Sequence, residues 1–122
     1  MKYRKGFVSN SSSTSFMMTN TSNEDRTLLE FVLENADMCK AGIIEYEEDV
    51  ENSHPTKNKV EESFKQMVED AIKRGDIYKA DTTSETIFGD EEGTVLGGIL
   101  DWNLREGGSS ENFRWKFNEY LR

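Results

Sequence analysis

The chain has one cysteine, one histidine and one proline in 122 residues. A single thiol, Cys39, cannot close an intramolecular disulfide, so the expectation is a protein of a reducing compartment, the cytoplasm. A lone cysteine near a helix end reads as a small buried hydrophobe rather than a nucleophile. The only imidazole, His54, stands before Pro55 in the polar stretch 51–56. It reads as a surface loop residue, and its solitude removes most histidine-dependent catalysis. No run approaches the roughly 18 apolar residues of a membrane-crossing helix. The basic opening Met1–Gly6 is followed by the polar stretch Ser9–Ser15, where a secretory signal requires apolar residues. Positive charge is scarce: 15 Lys and Arg stand against 24 Asp and Glu, a net charge of −9. That balance disfavours a generic binder of nucleic-acid backbone. Leu, Ile, Val and Phe make up only 26 of the 122 residues, just above the roughly 20 % below which a highly charged chain stays disordered. The length suits one domain, residues 1–122, with a lean core.

The apolar residues that are present fall in ordered patterns. Phe16-Met17-Met18 predicts a short strand over 15–19. The run Asn20–Asn23 offers N-cap residues ahead of Glu24-Asp25, and Leu28, Leu29, Val32, Leu33 and Ala36 follow helical spacing, which predicts a helix over 24–38 with Gly42 just past its end. Over 43–50, Ile44, Tyr46 and Val50 share one parity and Glu45, Glu47 and Asp49 the other, which predicts a strand with one acidic face. The clearest element is 57–74, where Val60, Phe64, Met67, Val68, Ala71 and Ile72 form one helical stripe that Gly75 should stop. Ile77-Tyr78 predicts a weak pairing and Glu85–Phe88 another strand. Thr94 can cap a third helix carrying Val95, Leu96, Ile99, Leu100 and Leu104, ended by Gly107-Gly108. Gly97 and Gly98 inside it point to close packing on a sheet. Phe113, Trp115 and Phe117 alternate with Arg114, Lys116 and Asn118, which predicts a final strand with an aromatic inner face and a basic outer one. The expected fold is α+β in two layers: about four short strands in an antiparallel or mixed sheet, with about three helices. The alternative is α/β.

Charge is unevenly spread. Residues 1–23 sum to +3 and 112–122 to +2, which leaves −14 on 24–111. The acids fall into three groups: Glu45, Glu47, Glu48, Asp49 and Glu51; Glu61, Glu62, Glu69 and Asp70; and Asp90, Glu91 and Glu92. Spaced carboxylates on exposed faces can meet a basic protein or imitate a row of phosphates, although they also serve plain solvation. Asp90–Glu92 lacks the ligand spacing of an EF-hand, and no metal or cofactor is implied. The second candidate is the serine segment: Arg4, Lys5, Ser9, Asn10, Ser11, Ser12 and Ser13 could cradle an anion through hydroxyls and backbone N–H groups. It lacks the spacing of a nucleotide-binding P-loop, and it also reads as a structural loop or a modification site. Arg114, Lys116 and Arg122 stand close to Trp115 and Tyr120, but strand alternation sends bases and aromatics to opposite faces, so stacking on single-stranded nucleic acid is disfavoured.

Two segments carry a resemblance. Lys5-Gly-Phe-Val-Ser-Asn-Ser-Ser-Ser-Thr-Ser-Phe16 resembles the opening of a group of small phage and bacterial proteins. Leu104-Arg-Glu-Gly-Gly-Ser-Ser-Glu-Asn-Phe-Arg-Trp-Lys-Phe117 resembles their ending. The resemblance covers the two ends only and implies an origin, with no activity attached. The expectation is therefore a small non-enzymatic phage-type protein in the host cytoplasm, its acidic middle binding and modulating a basic host protein, with an anti-defence or host-takeover role. The alternatives are an anion- or nucleotide-binding protein, with or without catalysis, centred on the serine segment, and a structural or virion-associated protein.

Overall fold

The protein is seen in a computed structural model that describes residues 13–89 and 92–121, with the backbone alone at Val50 and Glu51. Strand β1 (Ser13–Asn20) is central. It pairs antiparallel with β4 (Thr82–Gly89) on one side and β6 (Phe113–Leu121) on the other. The two-residue β5 (Gly108–Ser109) completes a sheet of order β4-β1-β6-β5. Two further short strands, β2 (Arg26–Thr27) and β3 (Ile77–Tyr78), pair with each other. Helices α1 (Leu28–Glu34), α2 (Ala36–Tyr46), α3 (Lys57–Arg74) and α4 (Val95–Asn103) complete an α+β fold. The antiparallel form of the expectation holds.

One sheet face builds the core. Phe16 and Met18 of β1, Phe88 of β4, and Phe113 and Trp115 of β6 are all buried there, together with Leu28, Phe31, Val32, Met67, Leu96 and Leu100 from the helices. The Phe31 ring stands edge-on to Phe113 at 5.2 Å and to Trp115 at 5.3 Å, which brings α1 onto β6. Helix α4 lies along β4, whereas α3 packs against the three other helices. Gly97 explains that approach: a Cβ there would sit 2.6 Å from the Gly89 carbonyl oxygen. Gly75 ends α3 in the left-handed conformation, φ +70°, as its position predicts.

Three expectations are corrected. The predicted helix over 24–38 starts late, because Thr27 rather than the Asn20–Asn23 run caps it. Thr27 accepts from the Glu30 N–H at 3.1 Å, and Glu30 accepts from the Thr27 N–H at 2.8 Å, a closed capping box. Asn20 instead ties the preceding loop together. Its amide donates to the carbonyls of Glu24 and Tyr78, and its oxygen accepts from Ser22. The helix also breaks at Asn35, and Gly42 lies inside α2, where the Asn103 side chain fills the space a Cβ would need.

The predicted strand over 43–50 is helical. Residues 43–46 belong to α2, which continues as a single π-helical turn, Glu47–Glu51, until Asn52 ends it at φ +57°. Alternation over so short a run is also compatible with a helix, and packing against α3 and α4 decides. The aromatic inner face of β6 is the third correction. Register shifts between Ser15, which faces Glu119, and Phe16, which faces Phe117, so Asn118 bulges out. Phe117 and Tyr120 consequently share the core-side face, yet they lie beyond the helices and are 36 % and 53 % exposed. Their rings are 4.8 Å apart.

The packing predicts that Phe31→Ala lowers unfolding free energy by about 3–5 kcal/mol and Gly97→Ala by about 1–3 kcal/mol. Chemical denaturation with unchanged slope would measure both.

Candidate protein-interaction site

The acidic group at 45–51 sits on the reversal between α2 and α3, and side-chain contacts close that hairpin. Lys40 Nζ lies 3.3 Å from Glu61 and 5.0 Å above the Phe64 ring. Lys59 Nζ reaches Glu47 at 3.7 Å, and His54 Nδ1 meets Glu48 at 2.5 Å. Thr56 caps α3 by accepting from the Lys59 N–H at 3.1 Å. Glu47, Glu48 and Glu61 thus serve the local fold as well as the surface. Glu45, Asp49 and Glu62 are exposed beside them, and the Glu51 side chain lies outside the described groups.

The other acids divide differently. Asp70 is not on the solvated face. It is buried, accepting from the Leu96 N–H at 3.2 Å and from Gln66 at 2.9 Å, so it satisfies an orphan donor in the first turn of α4. Thr94 satisfies another, the Gly97 N–H, at 3.0 Å. Glu69 is exposed. Burial pushes the Glu92 carboxyl up, against the pull of Arg74, whose Nη1 lies 2.9 Å away. Asp90 and Glu91 lie outside the described residues.

The serine segment is only partly in view. Arg4, Lys5, Ser9, Asn10, Ser11 and Ser12 lie outside the described residues. Ser13 and Ser15 are not loop residues: both are buried in β1. Ser15 donates to Glu85 at 2.5 Å and accepts from Asn118 at 3.0 Å on the sheet face away from the helices. Thr14 donates to the buried Asp101 at 2.5 Å.

The Gly-Gly-Ser-Ser-Glu-Asn turn proves structural. Gly107 takes φ +78°, and a Cβ on Gly108 would meet the Trp115 ring at 2.8 Å. Glu34 clamps the turn, accepting from the Ser110 hydroxyl, from the Asn112 N–H at 2.8 Å and from the Asn112 amide at 2.7 Å. Partial burial acts to raise the Glu34 carboxyl, but these bonds and nearby Arg26 outweigh it and hold the carboxyl below its ordinary range.

Beside this turn runs a strip that strand alternation did not reveal. Glu45 accepts from Trp102 Nε1 at 3.2 Å. The Arg105 guanidinium lies 5.6 Å from the Trp102 ring centre and 5.1 Å from that of Tyr120, which adjoins Phe117. Asp101 anchors Arg105 through its carbonyl at 2.9 Å and its carboxylate at 3.1 Å. A cleft of about 490 Å³ opens here, lined by Glu45, Trp102, Asn103, Arg105, Glu106 and Gly107. The sequence did hold a signal for the strip. Trp102 and Arg105 fall off the apolar stripe of α4, and Tyr120 breaks the parity of Phe113, Trp115 and Phe117. Arg114 and Lys116 are exposed and Trp115 is buried, as alternation requires; Arg122 lies outside the described residues.

The described residues hold no group of three or more His, Cys, Asp or Glu side chains placed to bind a metal. None of their helices is long and apolar enough to cross a membrane. No protein-family model, curated protein or solved structure matches the chain.

Two outcomes follow from the local chemistry. Burial pushes the Cys39 thiol up to about 12, so the native protein at pH 8 should resist alkylation until denaturant is added, as thiol titration would show. The depressed Glu34 carboxyl contributes stability that is complete above the ordinary carboxylate range and lost as pH falls through its folded-state value. Glu34→Gln should therefore lower stability at pH 7 by about 2 kcal/mol and flatten the loss between about pH 5 and 3 in denaturation curves.

Proposed function

We propose that this is a non-enzymatic interaction protein whose acidic α2–α3 corner engages a basic surface on another protein. The observation that carries the reading is the contact between Glu45 and Trp102. It joins the exposed carboxylates and the Trp102–Arg105–Tyr120 strip into one surface. Trp, Tyr and Arg are the residue types that dominate binding energy at protein interfaces. Carboxylates around them steer a cationic partner, speeding association and setting specificity. Glu48 and Asp49 stand three and four residues after Glu45, so both neighbour it on the helical surface, and Glu62 is exposed on the adjoining helix.

The two terminal motifs, which resemble those of small phage and bacterial proteins, support a phage-type role in a host cytoplasm. The partner is then a basic host protein that the chain modulates. Where that protein normally holds a nucleic-acid strand, the carboxylates stand in for phosphates. Of the residues of the anion-binding alternative, Ser13 is buried in β1 and the others lie outside the described residues.

The test is capture from bacterial lysate by the immobilised protein at low and high salt, followed by association kinetics with the captured protein. A basic protein should bind at low salt and leave at high salt. Lysine substitution at Glu45, Glu48 and Asp49 together should slow association about tenfold or more. Binding indifferent to salt and to these changes would defeat the reading.

A further inference from the structure

We propose that the cleft at the end of α4 receives one arginine side chain of the basic partner, its guanidinium laid against Trp102 between the carboxylates of Glu45 and Glu106. This rests on the reading of the acidic corner as a binding surface and names the contact at its centre. Three observations support it.

The first is shape and chemistry. The cleft, about 490 Å³, is a concave space with an aromatic ring and two exposed carboxylates in its lining. Those are the groups that bind a planar cation by stacking and by charge-assisted hydrogen bonds.

The second is the local charge. Arg105 also lines the cleft, but its guanidinium is held by the Asp101 carboxylate at 3.1 Å and the Asp101 carbonyl at 2.9 Å. The Arg105 cation is thus paired with Asp101, while Glu45 and Glu106 leave the cleft net negative. Among the described residues, Glu45 accepts from the neutral indole N–H of Trp102 at 3.2 Å. That bond orients the carboxylate without cancelling its charge.

The third is preorganisation. The Trp102 ring is tied to α2 through Glu45, and the Asn103 amide donates to the Met38 carbonyl at 3.2 Å, so α2 and α4 hold the cleft from both sides. The fold already displays the recognition chemistry once: Arg105 itself lies over the rings of Trp102 and Tyr120 with a carboxylate on its guanidinium. A lysine ammonium would satisfy the charge but not the planar stacking or the paired hydrogen bonds, so arginine is the better fit.

The experiment is a titration of the intact protein, followed by the indole N–H resonances of its two tryptophans and by backbone amides. The probes are a short arginine-rich peptide, its lysine counterpart and its citrulline counterpart. The arginine peptide should shift the Trp102 indole resonance and leave that of buried Trp115 still. The lysine peptide should bind several-fold more weakly, and the uncharged citrulline peptide should not bind. Glu45→Gln, Glu106→Gln and Trp102→Ala should each weaken the arginine peptide about tenfold, whereas Glu69→Gln on α3 should not. Glu45→Gln and Glu106→Gln change exposed side chains and keep the test valid if Trp102→Ala fails to fold. If the peptides shift amides around Glu48, Asp49 and Glu62 without moving Trp102, the cleft is not the receptor and only the broader acidic surface stands. If no cationic peptide binds at all, both readings fall.

Discussion

The Phe31 ring meets Phe113 and Trp115 almost at right angles, 5.2 and 5.3 Å between ring centres. In each pair the positive rim of one ring meets the negative face of the other, and three large side chains leave water together. The helix that carries Phe31 also carries Glu34, one turn on, which holds the turn at 110–112. The same Trp115 ring lies against Gly108 and admits no side chain there. The start of β6, the Gly107–Gly108 turn and the seat of α1 are therefore mutually dependent. The cleft borders this turn through Glu106 and Gly107, so its shape depends on the same aromatic contact.

The acidity of the chain has more than one physical role. Glu34 and Asp70 are ligands for backbone donors that would otherwise be buried without partners. Asp101 is fully buried and fixes Thr14 and Arg105. Glu47 and Glu61 tie the α2–α3 hairpin together through Lys59 and Lys40. A net charge alone does not separate these roles from plain solvation. The separation matters for function, because exposed carboxylates near Trp102 are available to a partner and inward ones are not.

Legibility followed the length of each pattern. The α3 stripe repeats over five turns, and it was readable to its last residue because Gly75 supplies the left-handed stop. Residues 43–50 carry an ambiguous signal, because two or three alternating apolar residues occur in helices as well as strands, and the deciding contacts come from α3 and α4. The helix over 24–38 starts later than its cap signals suggest because Thr21 and Ser22, like Thr27, are each followed three residues on by an acid, and only packing decides that Thr27 and Glu30 close the capping box while Ser22 bonds Asn20 in the loop. Of the site, the exposed acids Glu45, Glu48 and Asp49 are legible as charge, but nothing in the local pattern marks Trp102 and Arg105 as lining a cleft.

What the sequence by itself determined is the α+β class, the α3 and α4 boundaries near Thr56, Gly75 and Thr94, the buried aromatic start of β6, and the concentration of negative charge in the middle of the chain. Each is a local property: periodicity, capping chemistry or composition over consecutive residues. Tertiary structure alone decided which acids turn inward, that Asn118 bulges to leave Phe117 and Tyr120 exposed, and that Glu45 of α2 meets Trp102 of α4 across 57 positions. Those depend on which distant segments pack together, and pairing energies between distant residues leave no mark on the spacing of either partner.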